Sequence, residues 1–322
     1  MSVSSSQSSP SPPKSLLDLG LEDKQRFLDS FDYVLTDCDG VVWNLYGPID
    51  GVGEAISALK GTGKHLVYVS NNSVRTLGNY KEQVRKLGHE VDEADVIHPV
   101  VSVIQYLKSI NFQGLIYAIC AEPFLAALRD AGYEVLHGPT EPMPEALRLI
   151  IPVIHDKKPV KAVIVDYDFN CSHTKLLRAE LYLKTNPECM LIAGATDRSI
   201  SITQQLEVIG SGHYVDILEK ATGREAIVLG KPGHQLAKQL KEQYGMKDAK
   251  RVLFVGDMIA QDVAFGKVAG FQTLLVLTGG AKKLDVERLS NQDHVPDYYT
   301  ESFADFGKLI QEVLEAKGKA SL

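Results

Sequence analysis

The chain alternates short apolar runs, rich in β-branched residues, with longer stretches whose apolar residues recur at helical spacing. Short runs of this kind are typical of strands that are buried on both faces of a sheet. Because strands and helices alternate, the pattern predicts an α/β fold with a doubly wound, Rossmann-like parallel sheet and helices on both of its faces. The predicted strands of this sheet are 33–36, 66–69, 226–229, 252–255 and 273–277.

The same alternation restarts in the middle of the chain, which predicts a second α/β unit. Its strands are expected at 115–119, 162–165 and 190–193, and its helices near 123–131 and 175–184.

The domain organisation follows from these two patterns. We predict a core formed by 17–112 and 226–322, with an inserted α/β cap over 113–225. Residues 1–16 begin with a segment rich in Ser and Pro, and we predict that they form a disordered tail.

Composition excludes several classes of protein. The 322 residues carry a formal net charge of -7, with 44% hydrophobic and 23% charged residues, as in ordinary globular proteins. An acidic chain does not favour a nucleic-acid surface, and a run of about 20 apolar residues that would span a membrane is absent. The four cysteines are scattered without a CxxC pair, which favours reduced thiols over a zinc site or disulfides. We expect a cytoplasmic protein that binds neither nucleic acid nor membrane.

Polar side chains follow most of the predicted core strands, at the edge where open α/β sheets bind ligands. Asp37 and Asp39 follow the first strand and can both reach one bound group. Phosphoryl transfer needs a nucleophile and an acid for the leaving oxygen, so we predict these roles for Asp37 and Asp39. Gly40 lets the backbone turn sharply and is expected to contact substrate. The alternative is a surface Asx turn, since Asp-Gly pairs are common in turns.

Two further strand ends supply groups that suit a phosphate. Ser70, Asn71 and Asn72 follow the second strand and offer a hydroxyl and amide donors. Lys231, in a Gly-Lys-Pro segment after the 226–229 strand, can neutralise a phosphate and the nucleophile. We predict catalytic and substrate-binding roles for Ser70 and Lys231, and substrate binding for Asn71 and Asn72. The alternatives are a helix N-cap for the serine and a solvated surface position for the lysine.

Two more carboxylates, Asp257 and Asp262, follow the strand 252–255. A Mg²⁺ ion takes oxygen ligands and keeps several of its waters. The predicted ligands are Asp37, Asp39 through its backbone carbonyl, and Asp257, while Asp262 is expected to hold a metal-bound water or Lys231. The alternative is that Asp257 and Asp262 only cap a helix.

These segments resemble the four motifs of the haloacid dehalogenase (HAD) superfamily: DxDG at 37–40, SNN at 70–72, KP at 231–232 and GDx4D at 256–262. The stretches 37–43 and 69–73 are closer still to its C2-capped group of phosphoglycolate phosphatases, pyridoxal phosphate phosphatases (chronophin) and 4-nitrophenylphosphatases. The resemblance implies Mg²⁺ as cofactor, an aspartyl-phosphate intermediate, a large α/β cap inserted between the second and third motifs, and a homodimer formed through the cap.

The resemblance extends into the predicted cap and then ends. Asp197 and Arg198 resemble the Thr-Asp-Arg of the pyridoxal phosphate enzymes, which implies that they bind substrate. The following segment, 199–205, lacks the Pro and Gly of those relatives, and Ala260 replaces a second Asp that some relatives have in the fourth motif. These departures concern the choice of substrate more than the chemistry.

The sequence therefore predicts a Mg²⁺-dependent phosphomonoesterase that hydrolyses a small phosphorylated metabolite: a phosphoglycolate-like, pyridoxal phosphate-like or aryl phosphate compound. One alternative is a phosphatase that acts on phosphotyrosine or phosphoserine in proteins. Another is a non-catalytic module that interacts through the cap, although all four motifs retain chemically competent residues.

Overall fold

The structure is a computed structural model that describes residues 13–203, 206–289 and 291–320. The described residues form two compact units. The first lies within Met1–Asn44, Ile49–Leu66 and Asp248–Leu322, and the second within Leu45–Pro48 and Val67–Lys247. The predicted cap, 113–225, falls entirely inside the second unit, and its boundaries stay a prediction.

The strands of the described residues are, in chain order, β1 (Lys14–Ser15), β2 (Tyr33–Thr36), β3 (Trp43–Asn44), β4 (Gly47–Pro48), β5 (His65–Val69), β6 (Val96–Ile97), β7 (Leu115–Ile119), β8 (Val135–Leu136), β9 (Val160–Val165), β10 (Met190–Ala193), β11 (Ser199–Thr203), β12 (Leu206–Ile209), β13 (Ile227–Val228), β14 (Val252–Gly256), β15 (Gln272–Val276) and β16 (Tyr298–Thr300).

The α-helices of the same residues are α1 (Leu21–Asp29), α2 (Val52–Gly61), α3 (Leu77–Lys86), α4 (Pro99–Ser109), α5 (Glu122–Asp130), α6 (Leu147–Ile154), α7 (His173–Thr185), α8 (Gly212–Thr222), α9 (His234–Gln243), α10 (Ala264–Ala269), α11 (Lys283–Glu287) and α12 (Phe303–Ala320). Among the described residues, none of these helices is long and apolar enough to cross a membrane.

The first unit contains parallel strands in the order β1-β16-β15-β14-β2. The register places Val255 of β14 opposite Thr36 of β2, and Gly256 opposite Leu275 of β15. The segments that follow β2, β14 and β15 therefore share one edge of the sheet. This is the edge where open parallel sheets bind ligands.

The second unit contains a parallel sheet in the order β13-β10-β9-β7-β8 and an antiparallel pair, β11-β12. Successive residues of β7 and β9 alternate between two apolar cores. Ile116 and Ile164 pack with α4 and α5, whereas Tyr117 and Val163 pack with α7 and α8. Both faces of these strands are thus buried, which explains their uninterrupted apolar runs. The predicted α/β fold with parallel sheets and helices is confirmed.

One predicted strand joins a different sheet from the one expected. The run 226–229 is predicted beside the other core strands, but only Ile227–Val228 form a strand. This strand, β13, pairs with β10 so that Ile227 lies opposite Ile192. Hydrophobic pattern indicates that a segment is a strand, but not which edge it reaches, because pairing depends on tertiary contacts. Lys231 therefore follows the edge strand of the five-stranded sheet.

The start of the chain also differs from the prediction. Lys14–Ser15, expected in the tail, pair with β16, and Leu16 is fully buried. The sheet therefore begins before residue 17, because burial of Leu16 and pairing to β16 stabilise this short segment. The rest of the predicted tail, 1–12, lies outside the described residues, as do 204–205 of the segment 199–205.

Candidate active site

Three buried carboxylates lie together at the strand-end edge of the first unit. Asp37 follows β2, Asp257 follows β14, and Asp262 lies in the π-helical turn Ile259–Val263. One oxygen of each lies within 4.8 Å of the others. Like charges this close and shielded from water repel each other unless a cation offsets them. This acid cluster (Asp37, Asp257 and Asp262) therefore fits a hard divalent ion with oxygen ligands, such as Mg²⁺.

Asp37 is fixed by backbone contacts on both sides. Its N–H donates to the carbonyl of Val255 at 2.8 Å, and its Oδ1 accepts from the N–H of Cys38 at 2.7 Å. The first bond continues the pairing of β2 with β14, so the sheet itself sets where the carboxylate lies. Asp39, two residues later, is half-buried and forms a β-bridge with Trp43.

Glycines make room for Asp257. Its Oδ2 accepts from the N–H of Gly280 at 2.7 Å. A Cβ added to Gly40 would lie 2.5 Å from this oxygen, and one added to Gly279 only 1.9 Å from it. Gly40 also has a φ of +82°, and its N–H donates to Trp43 at 2.7 Å. The structure thus gives Gly40 a role beside the acid cluster. Its predicted contact with substrate stays a prediction.

Asp262 closes the turn after β14. Its Oδ2 accepts the N–H groups of Asp257 and Met258, at 3.0 and 2.9 Å. The alternative of a purely capping role therefore describes one oxygen of Asp262 correctly. It does not describe Asp257, whose carboxylate accepts from a different segment of the chain.

In the second unit, the segment after β5 forms a compact turn. Ser70 is buried, and its Oγ accepts from the N–H of Asn72 at 3.1 Å. The Oδ1 of Asn72 accepts in turn from the N–H groups of Val74 and Arg75, at 3.2 and 3.3 Å. Ser70 is not a helix N-cap, because the next helix, α3, is capped by Thr76.

Lys231 is bound to this turn through Asn71. The Asn71 Oδ1 accepts from the N–H of Lys231 at 2.8 Å, and its Nδ2 donates to the carbonyl of Lys231 at 3.0 Å. The same Nδ2 donates to Asp197 Oδ2 at 2.9 Å. Lys231 is only 1% exposed, so the alternative of a solvated surface lysine is wrong. The structure thus brings together three predicted site residues of the second unit.

Comparison with known proteins decides the family. The model for haloacid dehalogenase-like hydrolases matches residues 34–134, and a second, HAD-hydrolase-like model matches 228–306. Phosphoglycolate phosphatase 2 of Arabidopsis thaliana is 35% identical over 286 residues, which cover 88% of this chain and 94% of that protein. The chain belongs to the haloacid dehalogenase-like hydrolases.

Other members of the family agree on the type of reaction. Glycerol-3-phosphate phosphatase of Gallus gallus is 32% identical over 303 residues, 90% of this chain and 96% of that protein. The structure of a p-nitrophenyl phosphatase from Archaeoglobus fulgidus matches with a TM-score of 0.72 and 26% identity, covering 87% of this chain and 99% of that one. The chain is thus a HAD phosphatase, a phosphoric monoester hydrolase, and the resemblance read from its motifs is confirmed.

Arg198, the other residue of the predicted cap that is expected to bind substrate, forms an ion pair within the second unit of this HAD phosphatase. Its guanidinium donates to both carboxylate oxygens of Asp216 on α8, at 3.2 and 3.0 Å. The side chain is largely exposed, so the pair is weakly stabilising. Substrate binding by Arg198 stays a prediction.

One buried polar residue of this HAD phosphatase is given no role by the sequence alone. Asp166 follows β9 and is fully buried. Its carboxylate accepts from the hydroxyl of Ser73 and from the N–H groups of Tyr167 and Ala195, the latter two at 2.6 and 2.7 Å. Burial raises the pKa of Asp166 to about 7, although the three donors favour the charged form. The available signal was its position directly after a strand, as for Asp37.

Proposed function

We propose that this HAD phosphatase is a Mg²⁺-dependent phosphomonoesterase of small phosphorylated metabolites that forms an aspartyl-phosphate on Asp37. The observation that carries the proposal is the acid cluster. Its three buried carboxylates, with oxygens within 4.8 Å of one another, lie at a strand-end edge. A phosphatase with this donor set has both a nucleophile and a cation site in one place.

Each residue of the acid cluster has its own role in the proposed reaction. Asp37 acts as the nucleophile, and Asp257 would hold the ion together with Asp37 and the backbone carbonyl of Asp39. When bound, Mg²⁺ supplies positive charge that offsets these carboxylates and the substrate phosphate. Asp262 positions the turn that carries Asp257, because it accepts two backbone N–H groups there.

The reaction has two steps. A carboxylate oxygen of Asp37 forms a bond to phosphorus while the bond to the leaving oxygen breaks, and Asp39 gives that oxygen its proton. Asp39 then takes a proton from water, whose oxygen attacks phosphorus and releases inorganic phosphate and the Asp37 carboxylate. We assign Lys231 and Ser70 to binding of the phosphate oxygens.

The activities of the relatives support a small substrate, because they are phosphatases of phosphoglycolate, glycerol 3-phosphate and p-nitrophenyl phosphate. We propose that the substrate of this chain belongs to the same class of small phosphate monoesters, with pyridoxal phosphate as a further member to test. The homodimer through the cap and the cytoplasmic location stay predictions from the sequence.

The nucleophile is tested by Asp37→Asn, with Asp50→Asn, an exposed aspartate of the same unit, as control. The wild type and Asp50→Asn are expected to hydrolyse 4-nitrophenyl phosphate with Mg²⁺, to stop after chelation, and to recover when Mg²⁺ is restored. Asp37→Asn should lose roughly 10⁴-fold in kcat or more while its circular dichroism is unchanged. Mass spectrometry of acid-quenched wild type should find a phosphoryl group on the peptide that contains Asp37. Near-normal turnover by Asp37→Asn would overturn the assignment.

The substrate class is tested by comparing kcat/KM on phosphoglycolate, glycerol 3-phosphate and pyridoxal phosphate with that on phosphotyrosine and phosphoserine peptides. The proposal predicts a clear preference for one of the small molecules. A preference for the peptides would favour the phosphoprotein phosphatase instead. No hydrolysis of any of them would favour the non-catalytic module.

A further inference from the structure

The side-chain amide of Asn71 pairs with the backbone of Lys231 as one extended strand pairs with another. Its Oδ1 accepts from the Lys231 N–H at 2.8 Å, and its Nδ2 donates to the Lys231 carbonyl at 3.0 Å. Two bonds to the same residue fix both the position and the direction of the peptide, which a single bond does not. The amide thus holds the backbone from which the Lys231 side chain extends.

The remaining hydrogen of the Asn71 amide is also used. Nδ2 donates it to Asp197 Oδ2 at 2.9 Å. An amide NH₂ has two hydrogens, so Lys231 and Asp197 take both, and neither is left to bind a phosphate oxygen. The three partner groups also require one orientation of the amide. The Lys231 N–H must face its oxygen, whereas the Lys231 carbonyl and the Asp197 carboxylate must face its nitrogen.

The surroundings of Lys231 leave its backbone little freedom. A Cβ added to Gly230 would lie 2.5 Å from the Gly194 carbonyl and 2.9 Å from Asn71 Oδ1. The segment before the lysine is therefore pressed against both the turn after β10 and the amide of Asn71. Asp197 is fixed as well, by a hydrogen bond with the hydroxyl of Tyr167.

We propose that Asn71 is a positioning residue that places Lys231 for phosphate binding, with Asp197 acting through it, and that the side-chain amide of Asn71 does not itself bind the substrate. This replaces the role that the motif alone suggests for Asn71. The inference rests on the proposed function in one respect, namely that Lys231 binds the substrate phosphate. Displacement of a binding group by about 1 Å costs on the order of 10²-fold in rate, so loss of this amide should be visible in turnover.

The test is the isosteric change Asn71→Asp. The variant keeps an acceptor for the Lys231 N–H, but its second oxygen faces the Lys231 carbonyl and the Asp197 carboxylate, so it repels both. We expect kcat on 4-nitrophenyl phosphate to fall about 10²-fold and the inhibition constant of inorganic phosphate to rise about tenfold. The inhibition constant does not depend on the fraction of folded enzyme, so a merely structural defect would leave it unchanged. An unchanged inhibition constant in Asn71→Asp would overturn the proposal.

The matched control is Asn79→Asp, which adds the same charge eight residues later. Asn79 uses its Oδ1 as an acceptor from Thr76, and a carboxylate keeps this contact. Both kcat and the phosphate inhibition constant should stay at the wild-type values. A loss equal to that of Asn71→Asp would show that added charge, not the amide pairing, is responsible.

The decisive variant combines Asn71→Asp with Asp197→Asn. In this double variant, an amide at position 197 donates to the carboxylate at position 71, and the net charge equals that of the wild type. We expect it to recover about tenfold of the kcat lost in Asn71→Asp. If Asn71 bound the phosphate directly, the lost donor would not return and activity would stay low, which would overturn the proposal.

Failure of the proposed function can be recognised separately. Lys231→Ala should lose activity at least as severely as Asn71→Asp. If Lys231→Ala keeps wild-type kcat and phosphate inhibition, the phosphate-binding role of Lys231 is wrong. Urea unfolding of the two single variants and the double variant would then still measure the coupling between positions 71 and 197.

Discussion

Asp257 lies so close to Gly40 that a side chain added at Gly40 should displace its carboxylate and lower turnover. Gly40 has a φ of +82°, and an added Cβ would lie 2.5 Å from Asp257 Oδ2 and 3.1 Å from the Gly279 Cα. Gly63, in the same unit, has a φ of +75° but nothing within 4 Å of such a Cβ. Gly40→Ala and Gly63→Ala therefore share the same backbone strain and differ in whether they displace Asp257.

Gly40→Ala combines backbone strain with displacement of Asp257, whereas Gly63→Ala has the backbone strain alone. A left-handed conformation costs a residue with a Cβ about 1–2 kcal/mol, so both variants should lose about this much free energy of unfolding. In Gly40→Ala, the Asp257 carboxylate must also move by roughly half an ångström or more to restore an ordinary contact, because the Gly279 backbone closes off the other direction. Displacing the proposed metal ligand Asp257, which lies beside the proposed nucleophile Asp37, by this much should lower kcat by about 10- to 100-fold.

Urea unfolding gives the stability of each variant, and hydrolysis of 4-nitrophenyl phosphate over a series of Mg²⁺ concentrations gives kcat and the Mg²⁺ requirement. We expect both variants to be destabilised similarly, and only Gly40→Ala to lose turnover and to need more Mg²⁺. Wild-type turnover and Mg²⁺ requirement in Gly40→Ala would refute the reasoning. An equal loss of activity in Gly63→Ala would refute it as well, because strain alone would then explain the effect.

Two further predictions concern buried charges of the second unit. The Nζ of Lys175 lies 2.7 Å from the carboxylate of the buried Asp168, so Lys175→Met leaves that carboxylate without its cation and should lower the free energy of unfolding in urea by about 3–5 kcal/mol. Lys184→Met, on the same helix, breaks a more exposed pair with Glu180 and should lower it by less than about 1 kcal/mol. Equal losses in the two variants would contradict the argument. The raised pKa of Asp166 means that the folded state keeps a proton which the unfolded state releases, so its contribution is complete below about pH 4 and is lost as the pH rises to about 7. The free energy of unfolding of the wild type relative to Asp166→Asn should therefore fall across this window and be constant above it, and a difference that does not change with pH in urea titrations would count against the raised pKa.

The sequence predicted best those features that depend on a single strand and its end. Asp37 and Asp257 were placed correctly as strand-end carboxylates because apolar runs identify β2 and β14, and adjacent parallel strands bring their ends together. The strand before Lys231 was identified, but its sheet was not, since β13 pairs through an edge that only the folded chain creates. The burial of Lys231 also depends on tertiary contacts and could not be predicted from a Gly-Lys-Pro segment.

Features that depend on hydrogen-bond partners were the least accessible. Asn71 has the residue type of a phosphate ligand, and only the distances to Lys231 and Asp197 show that its donors are already used. Asp166 has the same strand-end position as Asp37, but its pKa depends on burial, which no local pattern reveals. The motifs therefore identify which residues are candidates for the site, while the role of each candidate depends on its hydrogen-bond partners.

This distinction changes how variants at Asp197 should be interpreted. Asp197 resembles a substrate-binding residue of related enzymes, yet its carboxylate accepts from Asn71, and Asn71 holds Lys231. A substitution of Asp197 would therefore change phosphate binding for every substrate, through Lys231, even if Asp197 never touched the leaving group. A role in selecting the substrate would instead change kcat/KM for one substrate relative to another. Only that relative change, measured at a constant inhibition constant for inorganic phosphate, would assign Asp197 to recognition of the leaving group.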